Sequence, residues 1–381
     1  MKKKMAIVTA TRAEYGILKP LIKKILLDDI LILQVIVTGT HLSEKYGNTQ
    51  QEILDDGIRI FKRIPILTDG NTGYDVSVTM AHAIVGFAQY FCDEHPDVVI
   101  VLGDRTEILG VCCAAMNAHI PIAHLHGGEI TEGAVDDCVR HAVTKMSYLH
   151  FVANELYRKR IIQMGENPNR VFNVGALGVE NVFNTVLLTK EEICKQIGIS
   201  LEQKFVMVTF HPITMESQEK NETQLYNLIA AMEIKDQYFY VITMANADMG
   251  GNWINTIFKE YSSKHKNALF ISSLGMLRYL SAIKYCEFVL GNSSSGIIEA
   301  PALGVPVIDV GDRQKGRMMA DTIIHCKAET QEIIQAIEQA PKVKHCVSYI
   351  YGDGHSSNKI ADILYKFLEK KNNTAKKFFD L

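Results

Sequence analysis

Long apolar segments are absent from this sequence. No stretch approaches the roughly 20 consecutive apolar residues that a membrane helix needs. The apolar run from Met5 to Ala10 follows three lysines, but it is too short for a signal peptide, and Arg12 comes almost at once. The sequence therefore predicts a cytoplasmic protein with no membrane partner.

An excess of charge of one sign is also absent. The 40 lysines and arginines nearly balance the 43 aspartates and glutamates, which leaves a formal net charge of −3 at pH 7. Proteins that bind nucleic acids or acidic lipids usually concentrate basic residues in one patch or run. Because both signs are spread along this chain, we expect no nucleic-acid partner.

Paired cysteines are missing as well. None of the eight cysteines forms a C-x-x-C pair, and their spacing matches no zinc site. Most of them lie in apolar stretches, so we expect buried, reduced thiols of the kind found in cytosolic proteins. The sequence gives no reason to expect a bound metal ion.

Short apolar runs are present throughout, and they alternate with stretches of helical spacing. Continuous Val- and Ile-rich runs between helices indicate parallel strands that are buried on both faces of a sheet. The first set of predicted strands comprises Met5–Ala10, Leu31–Thr38, Asp97–Leu102, Pro121–His124, His150–Val152 and Val171–Val174. The second set comprises Lys204–Phe210, Tyr238–Thr243, Ala268–Ile271, Glu287–Leu290 and Pro306–Val310.

This repetition in a chain of 381 residues predicts an α/β protein with two Rossmann-like, doubly wound domains. We expect an N-terminal domain at residues 1–175 and a C-terminal domain at residues 176–355. Residues 356–381 form a predicted C-terminal helix and tail, which could pack on either domain.

Polar loops follow many of the predicted strands. Ligands of doubly wound sheets bind beyond the carboxyl ends of the strands. The polar loops therefore predict a cleft that both domains line. They lie at residues 11–14, 39–41, 103–105, 126–129, 211–212, 246–248 and 291–296.

The segment from Gly291 to Glu299 reads GNSSSGIIE and leads from a predicted strand into a helix. A helix N-terminus offers free backbone N–H groups to a phosphate, and the serine hydroxyls add donors. Glu299 can accept hydrogen bonds from ribose hydroxyls. A serine-rich helix cap without any ligand is the alternative, but the cations of residues 311–317, which include Arg313, favour a diphosphate site.

Acidic residues occupy several strand ends of the first domain. Asp104 and Glu129 follow predicted buried strands, where an acid costs stability unless it is paired or used. Either acid could instead form a structural salt bridge with Arg105 or Arg140. One member of the Asp136–Asp137 pair could simply cap the helix that begins there.

Basic residues at strand ends are ambiguous when taken singly. Arg12, Arg105 and His41 could each be ordinary surface or core residues. His211 is a stronger candidate, because Pro212 fixes the chain directly after a strand end.

As a set, these motifs resemble the hydrolysing UDP-N-acetylglucosamine 2-epimerases, which make N-acetylmannosamine for sialic acid. The matching motifs run through nearly the whole chain, in the order of that family. They are TATRAEYG at 9–16, VTGTH at 37–41, VLGDR at 101–105, GGE at 127–129, DD at 136–137, RH at 140–141, FHP at 210–212, GNSSSG at 291–296, residues 308–317 and YGDG at 351–354.

The resemblance implies a glycosyltransferase-B fold, a nucleotide-sugar substrate and no cofactor, neither metal nor nicotinamide. It implies anti elimination of UDP across C1–C2, followed by hydration of the resulting 2-acetamidoglucal. Helix ends and arginines would stabilise the departing diphosphate, and carboxylates would stabilise positive charge on the sugar. We also expect a homo-oligomer, either a dimer or a tetramer.

The resemblance also implies roles for individual residues of this chain. Asp104 and the pair Asp136 and Asp137 are implied as catalytic acids. His41 is a candidate for substrate binding, and His211 is a candidate for both UDP binding and catalysis. The remaining implied UDP-binding residues are Arg12, Arg105, Asn246, Ser293, Ser294, Glu299 and Arg313.

One departure from the family concerns His126. Many members read H-I-E-G-G-E here, whereas this chain reads HLHGGE at 124–129. The proton-transfer role therefore falls to His126 or to Glu129, and we expect Glu129 to be the acid and His126 to contribute. This version of the motif resembles a bacterial subgroup of the family.

Several alternatives remain open at this point. The subgroup also includes enzymes that act on a 2,4-diacetamido-6-deoxy sugar nucleotide, for legionaminic acid. Non-hydrolysing epimerases share the elimination step, but they usually read H-V-E-A-G-L-R and carry an arginine-rich string after His-Pro, where this chain has residues 213–216, ITME. A glycosyltransferase or a sugar-nucleotide binder of the same fold would not need so many acids.

Overall fold

The computed structural model describes residues 2–28, 30–70, 72–131, 135–213, 216–245, 251–370 and 374–381. The chain divides into two compact units. The first comprises Met1–Glu129, Asp136–Asn181 and Gly352–Leu381, and the second comprises Ile130–Val135 and Val182–Tyr351. The C-terminal helix of the chain therefore belongs to the first unit. The sequence alone did not indicate on which domain this helix packs.

The first unit is built on a seven-stranded sheet in which every neighbouring pair of strands is parallel. Its strands are β1 (Lys3–Thr9), β2 (Leu31–Thr38), β3 (Ile60–Ile64), β4 (Val98–Leu102), β5 (Ile122–Leu125), β6 (Leu149–Val152) and β7 (Val171–Asn173). Its helices are α1 (Arg12–Leu26), α2 (Gln50–Asp55), α3 (Gly73–Glu94), α4 (Thr106–Asn117), α5 (Val135–Met146) and α6 (Glu155–Gln163).

The second unit contains a six-stranded parallel sheet. Its strands are β8 (Phe205–Thr209), β9 (Phe239–Thr243), β10 (Ala268–Ile271), β11 (Val289–Gly291), β12 (Val307–Val310) and β13 (Ile323–Cys326). Helix α7 (Leu177–Asn184) crosses the boundary between the units. The remaining helices are α8 (Lys190–Ile197), α9 (Gln218–Ile234), α10 (Gly251–Lys264), α11 (Gly275–Tyr285), α12 (Ser294–Ala302), α13 (Thr330–Gln339) and, in the first unit, α14 (Ser356–Glu369).

The first six strands of each sheet follow the same order, although the first sheet has a seventh strand. The first runs β3-β2-β1-β4-β5-β6-β7, and the second runs β10-β9-β8-β11-β12-β13. In each sheet the order reverses beside the first strand, between β1 and β4 and between β8 and β11. Such a switch point leaves a crevice at the carboxyl ends of the two strands, which is where doubly wound sheets bind ligands. The predicted α/β class with two doubly wound domains is confirmed.

Burial of the strands explains why they are so apolar. All five residues of β4 and all five of β8 are buried, because helices cover both faces of each sheet. Among the described residues, no helix is both long and apolar enough to cross a membrane.

The cysteines only partly match the expectation of buried thiols. All eight are free, and Cys112, Cys194, Cys286 and Cys326 are buried. The expectation is wrong for Cys92, Cys138 and Cys346, which are exposed. Cys92 and Cys138 lie on the solvent-facing sides of amphipathic helices, where an apolar neighbourhood in the sequence does not imply burial.

Candidate active site

Asp104 lies at the switch point of the first unit, two residues beyond β4. Its carboxylate is paired with the guanidinium of Arg140, a residue of α5 that is only 3% exposed. Arg140 Nη1 also lies 3.6 Å from Asp137 Oδ1, and His141 Nε2 lies 3.5 Å from Asp137 Oδ2. Arg140 thus brings together two of the acids that the sequence predicted to be catalytic.

Asp136 lies beside Asp137 in the first turn of α5, where it is partly exposed. Acids in this turn interact favourably with the helix dipole, so local stability alone accounts for one of them. Asp137 has the additional contacts with Arg140 and His141. A catalytic role for either residue stays a prediction.

The loop after β5 holds His126 and Glu129 together. His126 adopts φ +63°, a left-handed conformation that is uncommon outside glycine, and its backbone N–H donates to Phe151 O at 2.9 Å. Gly128 has φ +75°, and a Cβ there would lie 2.5 Å from the carbonyl oxygen of Tyr157. This tight turn brings His126 Nδ1 within 2.7 Å of Glu129 Oε1.

The other ring nitrogen of His126 has no such partner. Nε2 is buried and makes no hydrogen bond to the described residues. Glu129 itself is 3% exposed. Because buried polar atoms are nearly always hydrogen-bonded, the His126 ring has one nitrogen held by the protein and one in need of a ligand or water.

His124, which precedes this loop on β5, is a structural residue. It is completely buried, with Nε2 2.8 Å from Gly103 O and Nδ1 3.2 Å from Thr144 Oγ1. Burial lowers the pKa of His124 to about 3, so its ring is neutral near pH 7. It links the loop after β4 to helix α5.

Arg12 and Arg105 lie at the ends of the central strands. Arg12 begins α1, and its Nε lies 2.6 Å from Glu52 Oε1. Arg105 caps α4, with its Nε 2.6 Å from Glu107 Oε1 and 3.9 Å from Glu14 Oε1. Roughly a third of each arginine side chain is exposed, so an anion can reach both.

His41 is held entirely by its neighbours. It is fully buried, with Nε2 3.0 Å from Thr9 Oγ1 and Nδ1 2.8 Å from Thr49 Oγ1. Burial lowers the pKa of His41 to about 4. These contacts suit a role in fixing the loop after β2, and direct contact with a substrate stays a prediction.

The switch point of the second unit ends in the N-terminus of α12. Gly291 has φ +137°, and a Cβ there would lie 2.0 Å from Thr209 O, so only glycine fits. Ser293 is the N-cap and accepts a hydrogen bond from Ser295 N. Ser294 opens the helix and is exposed, which places a hydroxyl and the helix dipole at the strand end. Glu299 lies on the same helix, one turn farther along.

His211 and Arg313 meet around Asn292 at this strand end. Asn292 Oδ1 accepts from His211 N at 2.7 Å, and its Nδ2 donates to His211 O at 2.9 Å. The backbone carbonyl of Asn292 accepts from Arg313 Nη1 at 3.0 Å and from Gln314 Nε2 at 2.8 Å. Burial, and next the charge of Arg313, lower the pKa of His211 to about 3, so its ring is neutral near pH 7.

Within each unit, the structure brings together many of the predicted site residues. Asn246 lies outside the described residues. Arg317, from the cationic loop after β12, donates to the carbonyl oxygen of Ile130 at 3.3 Å.

Sequence reasoning missed a set of asparagine clamps in the second unit. Asn292, Asn221 and Asn255 each accept from one backbone N–H and donate to the carbonyl of that same residue. The clamped residues are His211, Ile213 and Ala245, all just beyond β8 or β9. Asn292 was visible within the GNSSSG motif, but nothing in the sequence links an asparagine amide to a distant backbone.

Comparison with known proteins shows the family to which the chain belongs. The family model described as UDP-N-acetylglucosamine 2-epimerase matches residues 24–365. The chain belongs to this family. Its members include a GDP/UDP-N,N'-diacetylbacillosamine 2-epimerase (hydrolyzing) of Campylobacter jejuni, which is 40% identical over 89% of this chain and 87% of its own length.

A second relative in the family is the polysialic acid biosynthesis protein P7 of Escherichia coli. It is 36% identical over 100% of this chain and 98% of its own length. Among solved structures, the UDP-GlcNAc 2-epimerase of Neisseria meningitidis bound to UDP-GlcNAc aligns with a TM-score of 0.81 at 19% identity, covering 95% of this chain and 100% of that one. This likeness confirms the glycosyltransferase-B type of fold.

Proposed function

We propose that the protein is a hydrolysing 2-epimerase, which converts UDP-N-acetylglucosamine to N-acetylmannosamine and UDP for sialic acid synthesis. The proposal rests on the residues that the structure places at the carboxyl ends of the strands in each unit. In the first unit, Asp104 and Arg140 pair beyond β4, and His126 and Glu129 pair beyond the neighbouring strand β5. In the second unit, the N-terminus of α12 and Arg313 lie at the strand end that Asn292 occupies.

The second unit is proposed to hold the UDP. The N-terminus of α12, with Ser293 and Ser294, and the guanidinium of Arg313 offer donors to the diphosphate. Glu299 would accept from the ribose hydroxyls. Asn246 and the Arg12 and Arg105 side chains of the first unit complete the proposed set of binding residues.

The chemistry is proposed to begin with elimination. A base removes the proton from C2 while the C1–O bond breaks, so that UDP leaves with the electron pair and a 2-acetamidoglucal remains. Because C2 is weakly acidic, the C1–O bond must break well ahead, and the carboxylates of Asp104, Asp136 and Asp137 stabilise the positive charge that develops. Preorganised groups of this kind each lower a barrier by roughly 3–4 kcal/mol.

Hydration completes the proposed reaction. Water adds its oxygen at C1, and a proton returns to C2 on the face opposite the one it left. The sugar is released with inverted configuration at C2, and no free sugar-nucleotide product forms. His211 is neutral and buried beside Asn292, which suits hydrogen bonding to the substrate better than charge stabilisation.

The geometry favours a division of labour between His126 and Glu129. Glu129 holds Nδ1 of the imidazole, so Nε2 is the atom that transfers the proton and Glu129 is a positioning residue. A carboxylate that accepts from Nδ1 fixes the tautomer and stabilises the imidazolium, as in other carboxylate–histidine pairs. This reverses the roles expected from the sequence, where Glu129 was favoured as the acid.

A second candidate substrate is UDP-2,4-diacetamido-2,4,6-trideoxyglucose, on the way to legionaminic acid. The name of the Campylobacter relative, which is 40% identical, favours this sugar. Both substrates carry the 2-acetamido group and the C2 proton that elimination requires, so the residues named above serve either one.

Incubation of the protein with each sugar nucleotide alone tests this function. We expect stoichiometric release of UDP and a free 2-epimeric sugar, with deuterium at C2 when the reaction runs in deuterium oxide. In heavy-oxygen water the UDP should stay unlabelled, since the C–O bond breaks. A requirement for an acceptor would indicate a glycosyltransferase, and labelled UDP would indicate attack at phosphorus.

A further inference from the structure

Two buried acids share one guanidinium at the switch point of the first unit, apart from the acids proposed to act on the sugar. Glu14 is 7% exposed and Glu107 is 6% exposed. Arg105 Nε lies 2.6 Å from Glu107 Oε1 and 3.9 Å from Glu14 Oε1. Arg105 thus serves two buried carboxyl groups, whose combined negative charge exceeds the charge of this guanidinium when both acids are ionised.

The two oxygens of Glu14 have different surroundings. Oε2 accepts from Ala10 N at 2.7 Å and from Thr11 N at 3.2 Å, which forms half of the capping box of α1. Oε1 is buried and has no hydrogen-bond partner among the described residues. The helix cap therefore explains one oxygen and leaves the other without a role.

The environment of Glu14 places its ionisation in the neutral range. Burial raises the pKa of Glu14 to about 7, with Arg105 opposing the shift and Glu107 adding to it. His41, from the turn after β2, lies near Thr9 and Thr11 but is neutral near pH 7, since burial lowers its pKa to about 4. Arg12, on the same helix as Glu14, is paired with Glu52.

We propose that Glu14 takes up a proton when the diphosphate of the substrate binds to Arg105, which couples the affinity for the sugar nucleotide to pH. The inference rests on the proposed function, because that function supplies the diphosphate. About a third of the Arg105 side chain is exposed, whereas both acids are buried, so the anion approaches the cation and not the carboxyl groups.

The sign of the coupling follows from charge. A diphosphate beside Arg105 adds negative charge next to Glu14 and so favours its neutral form. Binding then raises the pKa of Glu14. The affinity for the sugar nucleotide is greatest at a pH below the pKa of Glu14 in the free protein, and it falls as the pH rises from that pKa to the higher pKa in the complex. A rise of one pKa unit on binding corresponds to a change of about tenfold in affinity.

Calorimetry on a turnover-deficient protein measures this proton. UDP-N-acetylglucosamine is titrated into Asp104→Asn at pH 7.5 in Hepes and in Tris, whose ionisation enthalpies differ widely. The intact sugar nucleotide is the right probe, because its diphosphate, unlike that of free UDP, has no ionisation near neutral pH. We expect uptake of a fraction of one proton per site, and an affinity that falls about fivefold between pH 7 and pH 9.

A second substitution, added to Asp104→Asn, shows which residue takes up the proton. Adding Glu14→Gln should abolish the uptake and flatten the pH dependence, while the glutamine amide oxygen still accepts the capping hydrogen bonds. Adding Glu107→Gln should move the uptake to lower pH, because one of the two negative charges is gone. Glu52→Gln, at a half-exposed acid that pairs with Arg12, is the matched control and should leave the proton uptake unchanged.

Two results would overturn the coupling. One is binding without proton uptake in Asp104→Asn, and the other is undiminished uptake after Glu14→Gln. If Glu14→Gln impairs folding, the shift expected for Glu107→Gln decides the question by itself. A complete lack of binding to the wild-type protein would refute the proposed function along with the coupling, so the two failures are distinguishable.

Discussion

His126 has a backbone conformation that few residues other than glycine adopt. Its φ of +63° is needed to turn the chain after β5, and glycine at this position would do so without strain. Histidine there keeps Nδ1 on Glu129, while Nε2 is buried and has no hydrogen-bond partner in the part of the chain that the structure describes. Left-handed residues and unsatisfied polar atoms both concentrate at functional sites, so their coincidence in one residue supports the proton-transfer role.

Single substitutions separate the two members of this pair. His126→Gln should lower kcat by ~10²–10⁴-fold, as expected for loss of a general acid–base group, and should abolish deuterium exchange at C2. Glu129→Gln should lower kcat less, because the imidazole that transfers the proton is still present. UDP affinity should survive in both. The measurements are kcat, C2 exchange and UDP affinity by calorimetry.

Controls for this prediction come from the same unit. The double variant should be no slower than His126→Gln alone, since residues that act as a unit are not additive. His82→Gln, at an exposed histidine of α3, should behave as the wild type. If Glu129→Gln is inactive while His126→Gln turns over normally, Glu129 itself transfers the proton.

The identities of many candidate residues could be read from the sequence, but their contacts could not. The motif HLHGGE placed His126 and Glu129 in one loop, as competitors for one role. Their hydrogen bond depends on positive φ at His126 and Gly128, which residue types alone do not specify. Likewise, the raised pKa of Glu14 arises from burial beside Glu107, and no spacing rule reveals that.

At the scale of elements, the sequence predicted central strands better than edge strands. The predicted strand Leu31–Thr38 matches the central strand β2, and Ala268–Ile271 matches the edge strand β10, whereas the edge strands β3 and β13 were missed. Both missed strands lie at sheet edges and expose alternate or polar residues, so they lack the continuous apolar run of a doubly covered strand.

The strand ends of the second unit are tied together by Asn292. Asn292→Ala would remove the amide that pairs with the backbone N–H and carbonyl of His211 in a buried position, which costs ~1–3 kcal/mol of stability. We expect a comparable loss of UDP affinity, because His211 would lose the side chain that fixes its position, whereas the backbone carbonyl that accepts from Arg313 is kept. Urea unfolding and UDP calorimetry measure the two effects.

A second asparagine provides the comparison for this prediction. Asn227 donates to Ala328 O and accepts from Thr330, so Asn227→Ala also removes hydrogen bonds that join α9 to the start of α13. It should lower stability without weakening UDP binding. Equal losses of UDP affinity in both variants would show that Asn292 acts through general stability alone.

At the scale of the whole molecule, the pattern of two repeated sheets was evident from the sequence, whereas the place of the C-terminus was not. The tail at residues 374–381 returns to the first unit. Lys376 Nζ lies 2.8 Å from Glu166 Oε1 and 2.7 Å from the carbonyl oxygens of Lys145 and Ser147. Phe379 N donates to Gly165 O at 2.9 Å. A single lysine in a polar tail gives no sign of so distant a partner.

Glu166 is the buried end of this attachment. Its side chain is 0% exposed, and it also contacts Lys145 Nζ at 2.7 Å and His150 Nε2 at 3.2 Å. Burial alone would raise the pKa of Glu166, but its hydrogen bonds to His150, Lys145 and Lys376 lower it to about 2. Glu166 therefore stabilises the folded state at a pH above its unfolded-state pKa, and this stability is lost as the pH falls toward 2.

Removal of the lysine tests whether the tail stabilises the first unit. Lys376→Met should lower the free energy of unfolding by ~1–3 kcal/mol at pH 7, because a buried carboxylate loses one charged donor. Lys377→Met, at the exposed neighbouring lysine, should have no effect. The difference between Lys376→Met and the wild type should shrink only as the pH falls toward 2, through the folded-state pKa of Glu166, because proton uptake by the unfolded state is the same in both proteins. Urea unfolding at pH 7 measures the difference, and its absence at that pH would mean that the tail does not stabilise the fold through Glu166.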